Sequence, residues 1–329
     1  MYKVVSLFSG CGGADLGMSG DFIYNNKYYE KLPFDFTFAC DIDSKALSTY
    51  SRNLKADRIV CDDVCNIENS FIPNHDILVG GFPCQSFSTV NPTKNPFDDR
   101  AKLYKQMLRI AKAKMPKVII GENVKGLMTL HKGEILKKIC SDFDSIGYTV
   151  YTKLFNVANF GVPQKRERLI IVCIRKDIAQ KYEFPKETHI DNWVPLSIAV
   201  PNLSIDEKKY YFSEKAVMGM KNAKNNMKRG LAQDLSQPCL TITSHLAKVS
   251  LNSRDPVLLV DREKEVYRRF TPKEAACIQS FPSEFVFEGS EIDAYRQIGN
   301  AVPPVFFWHI SKSVAEFLDI NTSELAIAE

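Results

Sequence analysis

The chain lacks any apolar run near the roughly 18 residues that a membrane span requires. Its opening stretch, MYKVVSLFSGCGG, carries one Lys and a short apolar segment that passes straight into glycines. A secretory signal needs a longer apolar core and a small-residue cleavage site. These absences lead to the expectation of a cytoplasmic protein with no membrane partner. There is no low-complexity tract and no internal repeat, which excludes collagen-like and solenoid architectures. A strong excess of one charge is missing too: 43 Lys and Arg against 39 Asp and Glu leave a net charge of +4. That balance permits a polyanionic partner without demanding one, because affinity for nucleic acid depends on where charge is placed. Cysteine is present but unpaired in pattern. Nine residues, an odd number, are scattered along the chain, which argues against a disulfide framework. The closest two, Cys61 and Cys65, have neither a second pair nor paired histidines to complete a zinc site, so no metal is expected. Most of the nine are expected to serve as small buried apolar residues.

What is present reads as an ordinary globular chain, 45% hydrophobic and 25% charged. Its 329 residues suit one large domain with a smaller one. Short apolar runs at 3–8, 36–43, 75–81, 117–123, 148–156 and 168–174 read as buried strands. Helical patterns separate several of them: KALSTYSRN follows the second run, and KLYKQMLRIAKAKM (102–115) places apolar residues on one face and Lys and Arg on the other. This alternation predicts an α/β fold, a doubly wound and mostly parallel sheet with helices on both sides. Ligands in such sheets lie beyond the carboxyl ends of the strands. From about residue 185 the periodicity weakens and Asn, Ser, Lys and Pro rise, with a basic segment at 213–230. Order returns in TPKEAACIQSF, a helix capped by Thr271 with Pro at its first position, and in a closing helix over 305–318. The domains are therefore expected at 1–184, 185–265 and 266–329, the last returning to the first.

Five constellations stand out, the first three of them at strand ends. In LFSGCGGADLG, Gly10, Gly12 and Gly13 allow a tight turn and a close approach to a ligand. Asp41 closes the second run, where a carboxylate can grip ribose hydroxyls, and Asp63 can accept from an adenine amino group. For either aspartate alone, a helix cap is the commoner explanation. Acidic residues and the absence of a P-loop lysine disfavour a triphosphate and suit a nucleoside without phosphates. In GGFPCQSFS, Gly80 and Gly81 leave room, and Pro83 sets the backbone before Cys84, which on such a loop can be exposed and ionisable. In GENVKGL, an apolar strand delivers Glu122 to its carboxyl end, where a raised pKa would let it donate a proton. In GVPQKRERLIIV, Gln164, Arg166 and Arg168 alternate, so extended backbone puts them on one face. Two guanidinium groups there suit an acceptor-rich target such as a base carbonyl or a phosphate. The fifth pairs RRFTPKEAACIQSFP (268–282) with QIGNAVPP (297–304), in which Gly299 and Asn300 are expected to form a rigid turn into the last helix.

Taken in order, these blocks resemble the cytosine-5 DNA methyltransferases of the bacterial restriction-modification type. FSGCGG resembles the first cofactor motif, GFPCQSFS the nucleophile motif and ENV the acid motif. QKRER resembles the Gln-x-Arg-x-Arg motif and QIGNAVPP the last cofactor motif. The match in order and approximate spacing covers nearly the whole chain except about 185–265, the family's variable target-recognition region. Two positions depart from it: Asp41 stands where many members carry Glu, and Ala301 where some carry Ser. The resemblance implies a Rossmann-like fold and S-adenosylmethionine as cofactor. Phe8, Gly10, Gly12, Gly13, Asp41, Ile42, Asp63, Val64, Pro83, Asn300 and Val302 would bind it. It also implies a catalytic set of Cys84, Glu122, Arg166 and Arg168, with Arg166 as the member that orients the loop. Double-stranded DNA is the implied partner, entered by base flipping. Ser88, Arg100, Gln164, Thr241, Ser244, His245, Lys248 and Arg254 are its expected contacts. A monomer is expected, with a cognate restriction endonuclease acting independently.

Competing readings differ in kind. A transfer-RNA cytosine-5 methyltransferase of the same family would carry a Cys-Phe-Thr tripeptide in the recognition region, and none occurs here. A catalytically inactive nucleic-acid-binding module would not need Cys84, Glu122 and Arg168 together. A thiol hydrolase would need a histidine base, and none of the five histidines lies in a motif that pairs with Cys84.

Overall fold

Seven strands build the central sheet: β1 (Tyr2–Leu7), β2 (Phe34–Asp41), β3 (Ile59–Cys61), β4 (Ile77–Gly80), β5 (Val118–Val124), β6 (Tyr148–Asn156) and β7 (Glu167–Arg175). The computed structural model describes residues 1–83, 102–178, 180–222, 232–248 and 256–328. The strand order is β3-β2-β1-β4-β5-β7-β6. Every neighbouring pair from β3 to β5 is parallel, and β7 alone runs against the others, antiparallel to both β5 and β6. This is the doubly wound, mostly parallel α/β fold read from the sequence.

The sheet is central because its middle strands are apolar on both faces. Successive residues point to opposite sides. Val4, Ile77, Val79, Val118 and Ile120 join one cluster, together with Val305, Phe306 and Ile310. Val5, Leu7, Leu78 and Ile119 join the other, together with Met107, Ile110, Ile135 and Ile139. The helices that supply these partners are α1 (Gly13–Ser19), α2 (Ser44–Asn53), α3 (Lys102–Lys114), α4 (Glu134–Ser145), α5 (Pro272–Ile278), α6 (Glu291–Asn300) and α7 (Pro304–Ala328). Their starts are written locally. Asp43 accepts from Lys45 N and Ala46 N to open α2. Thr271 with Glu274, and Ser290 with Asp293, form reciprocal capping boxes on α5 and α6.

A third cluster gathers Leu196, Ala199, Cys239, Ile242, Leu246 and Leu258 with Phe270, Ala275, Ile278, Tyr295 and Ile298. Hydrophobic packing thus crosses the expected boundary at 265, and α5 and α6 share the smaller core. The expected turn at Gly299 and Asn300 is corrected: both are the last residues of α6, and the turn follows at Ala301–Pro303. Ser290 supplied the missed start of that helix. Cys61 and Cys65 are exposed, unlike Cys11, Cys40, Cys173 and Cys239, which are buried as expected. Among the described residues, no helix is long and apolar enough to cross a membrane.

Candidate active site

Beyond the carboxyl ends of β1, β2, β4 and β5 lies a cavity of about 750 Å³. Phe8, Gly10, Gly13, Asp41, Ile42, Asp63, Val64, Pro83, Asn300 and Val302 all line it, as do Glu122, Arg166 and Arg168. Parallel strands bring these positions together from stretches up to about 290 residues apart in the chain, as the strand-end rule requires.

The glycine turn is strained and tightly packed. Phe8 holds φ 55° and Gly12 φ 90°, left-handed values that L side chains rarely adopt. Gly12 does not line the cavity, contrary to expectation. It faces the other way, where a Cβ would fall 2.3 Å from Leu54 and 3.0 Å from Tyr50. Gly13 packs on the last motif, and a Cβ there would lie 2.5 Å from the Val302 carbonyl oxygen. Beneath the turn, Asp15 is fully buried and accepts from Ser6 Oγ at 2.9 Å. Burial pushes its carboxyl up to about 7.

Asp41 anchors the turn. Its Oδ2 accepts from Gly10 N at 2.8 Å and its Oδ1 from Asp43 N at 2.8 Å. Burial raises its pKa against these donors. Asp63 caps a short 3-10 turn by accepting from Cys65 N at 2.9 Å, so the cap and the cavity wall are the same residue. Two further groups escaped sequence reading. Asp62 lines the cavity beside Asp63, and Gln297 lines it with Oε1 buried and without a partner among the described residues. Gln297 stands first in QIGN, and its position in that block was the only available signal.

These residues fit a nucleoside-bearing sulfonium. The cradle at Gly10 is open, with no atom within 4 Å of a Cβ placed there. Ile42, 71% exposed at the rim, offers an apolar face. The acceptors Asp41, Asp62 and Asp63 meet hydroxyl or amino donors and would repel phosphates.

At the other end, Glu122 leaves β5 pointing into the cavity. Arg168 Nε lies 2.8 Å from Glu122 Oε1, and both side chains are largely buried. Arg168 Nη1 donates to the Glu167 carbonyl at 2.7 Å. Burial lowers the Arg168 pKa against the nearby Glu122 charge. Gly81 keeps the space in front of the acid open, since a Cβ there would stand 3.2 Å from Glu122 Oε2. Asn123, next to the acid, is buried, and its Nδ2 donates to the Phe82 carbonyl at 2.9 Å. That bond sets the chain direction two residues before Cys84. Cys84, Ser88, Arg100 and Arg254 lie outside the described residues.

The alternation at 164–168 holds: Gln164, Arg166 and Arg168 are buried, with Lys165 and Glu167 less so. Their partners differ from expectation. Gln164 is fully buried and its amide is consumed inside the protein. Its Nε2 donates to Gln279 Oε1 at 2.5 Å, and its Oε1 accepts from Ile242 N at 3.0 Å. Arg166 donates to three main-chain carbonyls, those of Ile242 at 2.9 Å, Gly299 at 3.0 Å and Ala301 at 3.2 Å, while its buried Nε has no partner among the described residues. Thr241 donates to the Lys165 carbonyl at 2.8 Å, which ties the 241–248 segment to the same strand entry. Ser244 is half-buried, His245 is exposed, and Lys248 ends a short 3-10 turn that begins at Leu246. Gln279, in CIQSF, was not singled out from sequence because its partners are remote carbonyls.

Comparison with known proteins agrees with this geometry. Residues 2–316 match the model of the C-5 cytosine-specific DNA methylase family. The chain is 32% identical to the type II methyltransferase M.NgoFVII of Neisseria gonorrhoeae, over 99% of this chain and 90% of that protein. It is 33% identical to M1.ScrFI of Lactococcus lactis subsp. cremoris, over 97% and 79%. Its fold is similar to that of the methyltransferase EhMeth of Entamoeba histolytica, with TM-score 0.75 and 19% identity across 96% of this chain and 98% of that one.

Proposed function

The chain belongs to the C-5 cytosine-specific DNA methylase family, and on that premise we propose that it methylates carbon 5 of a flipped-out cytosine in duplex DNA through a transient bond from Cys84 to carbon 6. The observation that carries this reading is the Glu122–Arg168 pair at the cavity floor, facing the Gly81–Phe82–Pro83 approach to Cys84.

Cytosine carbon 5 is a weak nucleophile in an electron-poor ring. Covalent addition divides the problem into easier steps. The Cys84 thiolate adds at carbon 6, and Glu122 donates a proton at ring nitrogen 3, so the charge from addition does not accumulate. Arg168 holds Glu122 through Nε and offers its guanidinium edge to the base carbonyl oxygen. Carbon 5 becomes electron-rich as a result. S-adenosylmethionine, when bound along Asp41, Asp62, Asp63 and Ile42, supplies an electrophilic methyl group. Carbon 5 takes that methyl group as its bond to sulfur breaks. A water then accepts the carbon 5 proton, and the released electron pair expels the Cys84 thiolate. Nitrogen 3 returns its proton to Glu122, which restores the aromatic ring. The target atoms are inaccessible in a stacked duplex, so the nucleotide must be extruded, at a cost of a few kcal/mol. Ser244 and His245 on the 241–248 segment are the candidates to read base edges, with Lys248 beside them in sequence.

The curated relatives are named type II methyltransferases, which supports a protective role beside a restriction endonuclease. The test is trapping with duplex DNA carrying 5-fluorocytosine at the methylated site, since fluorine cannot leave as a cation and the adduct persists. A DNA adduct at Cys84 is expected, and Cys84→Ser should abolish both adduct and turnover. An adduct elsewhere, or methylation of RNA but not of duplex DNA, would overturn the reading. Bisulfite sequencing of DNA from cells expressing the chain reads out activity and target sequence together.

A further inference from the structure

Both main-chain polar groups of one residue in the 241–248 segment, Ile242, are wired to the end of α6. Ile242 N donates to Gln164 Oε1 at 3.0 Å, and Gln164 Nε2 donates to Gln279 Oε1. Gln279 Nε2 in turn donates to the carbonyls of Ile298 at 2.8 Å and Ala301 at 2.7 Å. On the other side, Ile242 O accepts from Arg166 Nη1, while Arg166 Nη2 reaches the carbonyls of Gly299 and Ala301. Gln164, Gln279 and Ile242 are all 0% exposed, and Arg166 is 3% exposed. The backbones also touch directly: a Cβ on Gly299 would fall 2.2 Å from Thr243 C and 2.3 Å from Ser244 N.

The carbonyls held at the far end belong to the cavity wall. Gly299, Asn300, Ala301 and Val302 all line it, and Val302 O in turn contacts Gly13 of the glycine turn. The 241–248 segment can therefore not move independently of that wall. A displacement of Ile242 either drags the end of α6 with it or leaves buried donors and carbonyls unpaired, and unpaired buried groups are costly.

We propose that this clamp couples engagement of target DNA to affinity for the cofactor, with Gln279 as the positioning residue at its centre. Gln279 touches neither ligand. It holds Gln164 on one side and the Ile298 and Ala301 carbonyls on the other, so that the recognition segment and the cofactor wall adopt their binding arrangements together. The coupling is reciprocal: each ligand tightens the other by the same factor. The inference rests on the proposed assignment of DNA to the 241–248 segment and of the cofactor to the cavity.

The test titrates S-adenosylhomocysteine by calorimetry into the full chain, free and saturated with a duplex carrying the sequence that bisulfite sequencing finds methylated. In the unaltered protein the duplex should tighten binding by about fivefold or more. Gln279→Met keeps the volume but loses every hydrogen bond, and Gln164→Met cuts the same chain of bonds one link nearer to Ile242. In each, the factor should fall below about twofold while both ligands still bind singly. A change confined to thermal stability, with the factor retained in either folded variant, overturns the proposal. Should Gln279→Met fail to fold, Gln164→Met decides. If the unaltered protein binds both ligands with no mutual effect, the coupling alone is wrong. If it does not bind S-adenosylhomocysteine at all, the cofactor assignment falls and takes the coupling with it.

Discussion

Arg168 reaches Glu122 diagonally across β5 and β7. Ile170 is the residue directly opposite Glu122, and Arg168 stands two positions along on the same face, with Nε 2.8 Å from the carboxylate. Diagonal neighbours on one sheet face lie within reach of long side chains. The acid is thus aimed by a residue 46 positions away in sequence, on the one strand that runs against its neighbours.

Breaking that relationship should slow chemistry more than binding. Glu122→Gln is expected to lower the methylation rate by about 100-fold or more, with S-adenosylhomocysteine affinity retained by calorimetry. Arg168→Lys should be impaired too, because an ammonium cannot bond Glu122 and Glu167 O in the same geometry. The double variant should be less impaired than the product of the two single effects, since the pair acts as a unit.

Gly13→Ala tests the contact between the first and last cofactor motifs. Its methyl group would meet Val302 O at 2.5 Å, so backbone must shift. Overpacking of this kind costs about 1–3 kcal/mol. Cofactor affinity should fall by roughly tenfold, which corresponds to about 1.4 kcal/mol, while the duplex-binding affinity measured without cofactor changes less.

Arg268 and Glu274 form a buried two-pronged pair, with Nη1–Oε2 at 2.8 Å and Nη2–Oε1 at 2.7 Å. Arg268 also donates to the Asn202 and Leu203 carbonyls, joining the 185–265 region to the start of α5. Removing one partner of such a pair strands a charge. Arg268→Ala should cost about 3–5 kcal/mol, read as a lowered midpoint in urea. Replacing both partners by apolar residues should recover part of the loss.

Two buried groups set opposite pH trends in stability. His309 is largely buried, its Nε2 has no partner among the described residues, and burial pushes its pKa down to about 4. A depressed histidine binds fewer protons folded than unfolded, so stability is complete above pH 6.5 and falls as pH drops toward 4. His309→Gln should flatten that acid-side loss in the thermal midpoint. Asp15 is raised from 3.8 to about 7, so it binds more protons folded than unfolded. Its contribution is complete below pH 3.8 and is lost as pH rises through about 7. Asp15→Asn keeps an acceptor for Ser6 and should raise the midpoint at pH 8 by about 5 °C, with little change at pH 4.

Local signals carried the strands and the caps. Apolar runs located six of the seven sheet strands, and Ile59–Cys61 escaped because two half-buried residues and an exposed one make no pattern. Thr271 announced α5, whereas Ser290 was passed over because QIGN was read as a turn. Site residues that act at the end of a strand, such as Glu122, were legible from position and type. Those that act through carbonyls were not. Gln279, Asn123 and Gln297 have no residue-type signature, since a main-chain carbonyl is the same at every position in the chain. Gln164 was assigned an outward target for the same reason: alternation tells which side chains share a face, and not whether that face meets a ligand or a neighbouring helix.

The amino-acid sequence by itself determined the alternation of strand and helix, the acidic cofactor side, and the placing of a carboxylate and two guanidinium groups at strand ends. Each of these follows from local periodicity and from the chemistry of single side chains. Tertiary structure alone decided which guanidinium meets the acid and which is spent on carbonyls. It also decided that the main-chain N–H and C=O of Ile242 are tied to the end of α6. The physical reason is that hydrogen-bond partners are settled by which donors lose water together, and only the packed chain brings residues 164, 242, 279 and 301 into one water-free space.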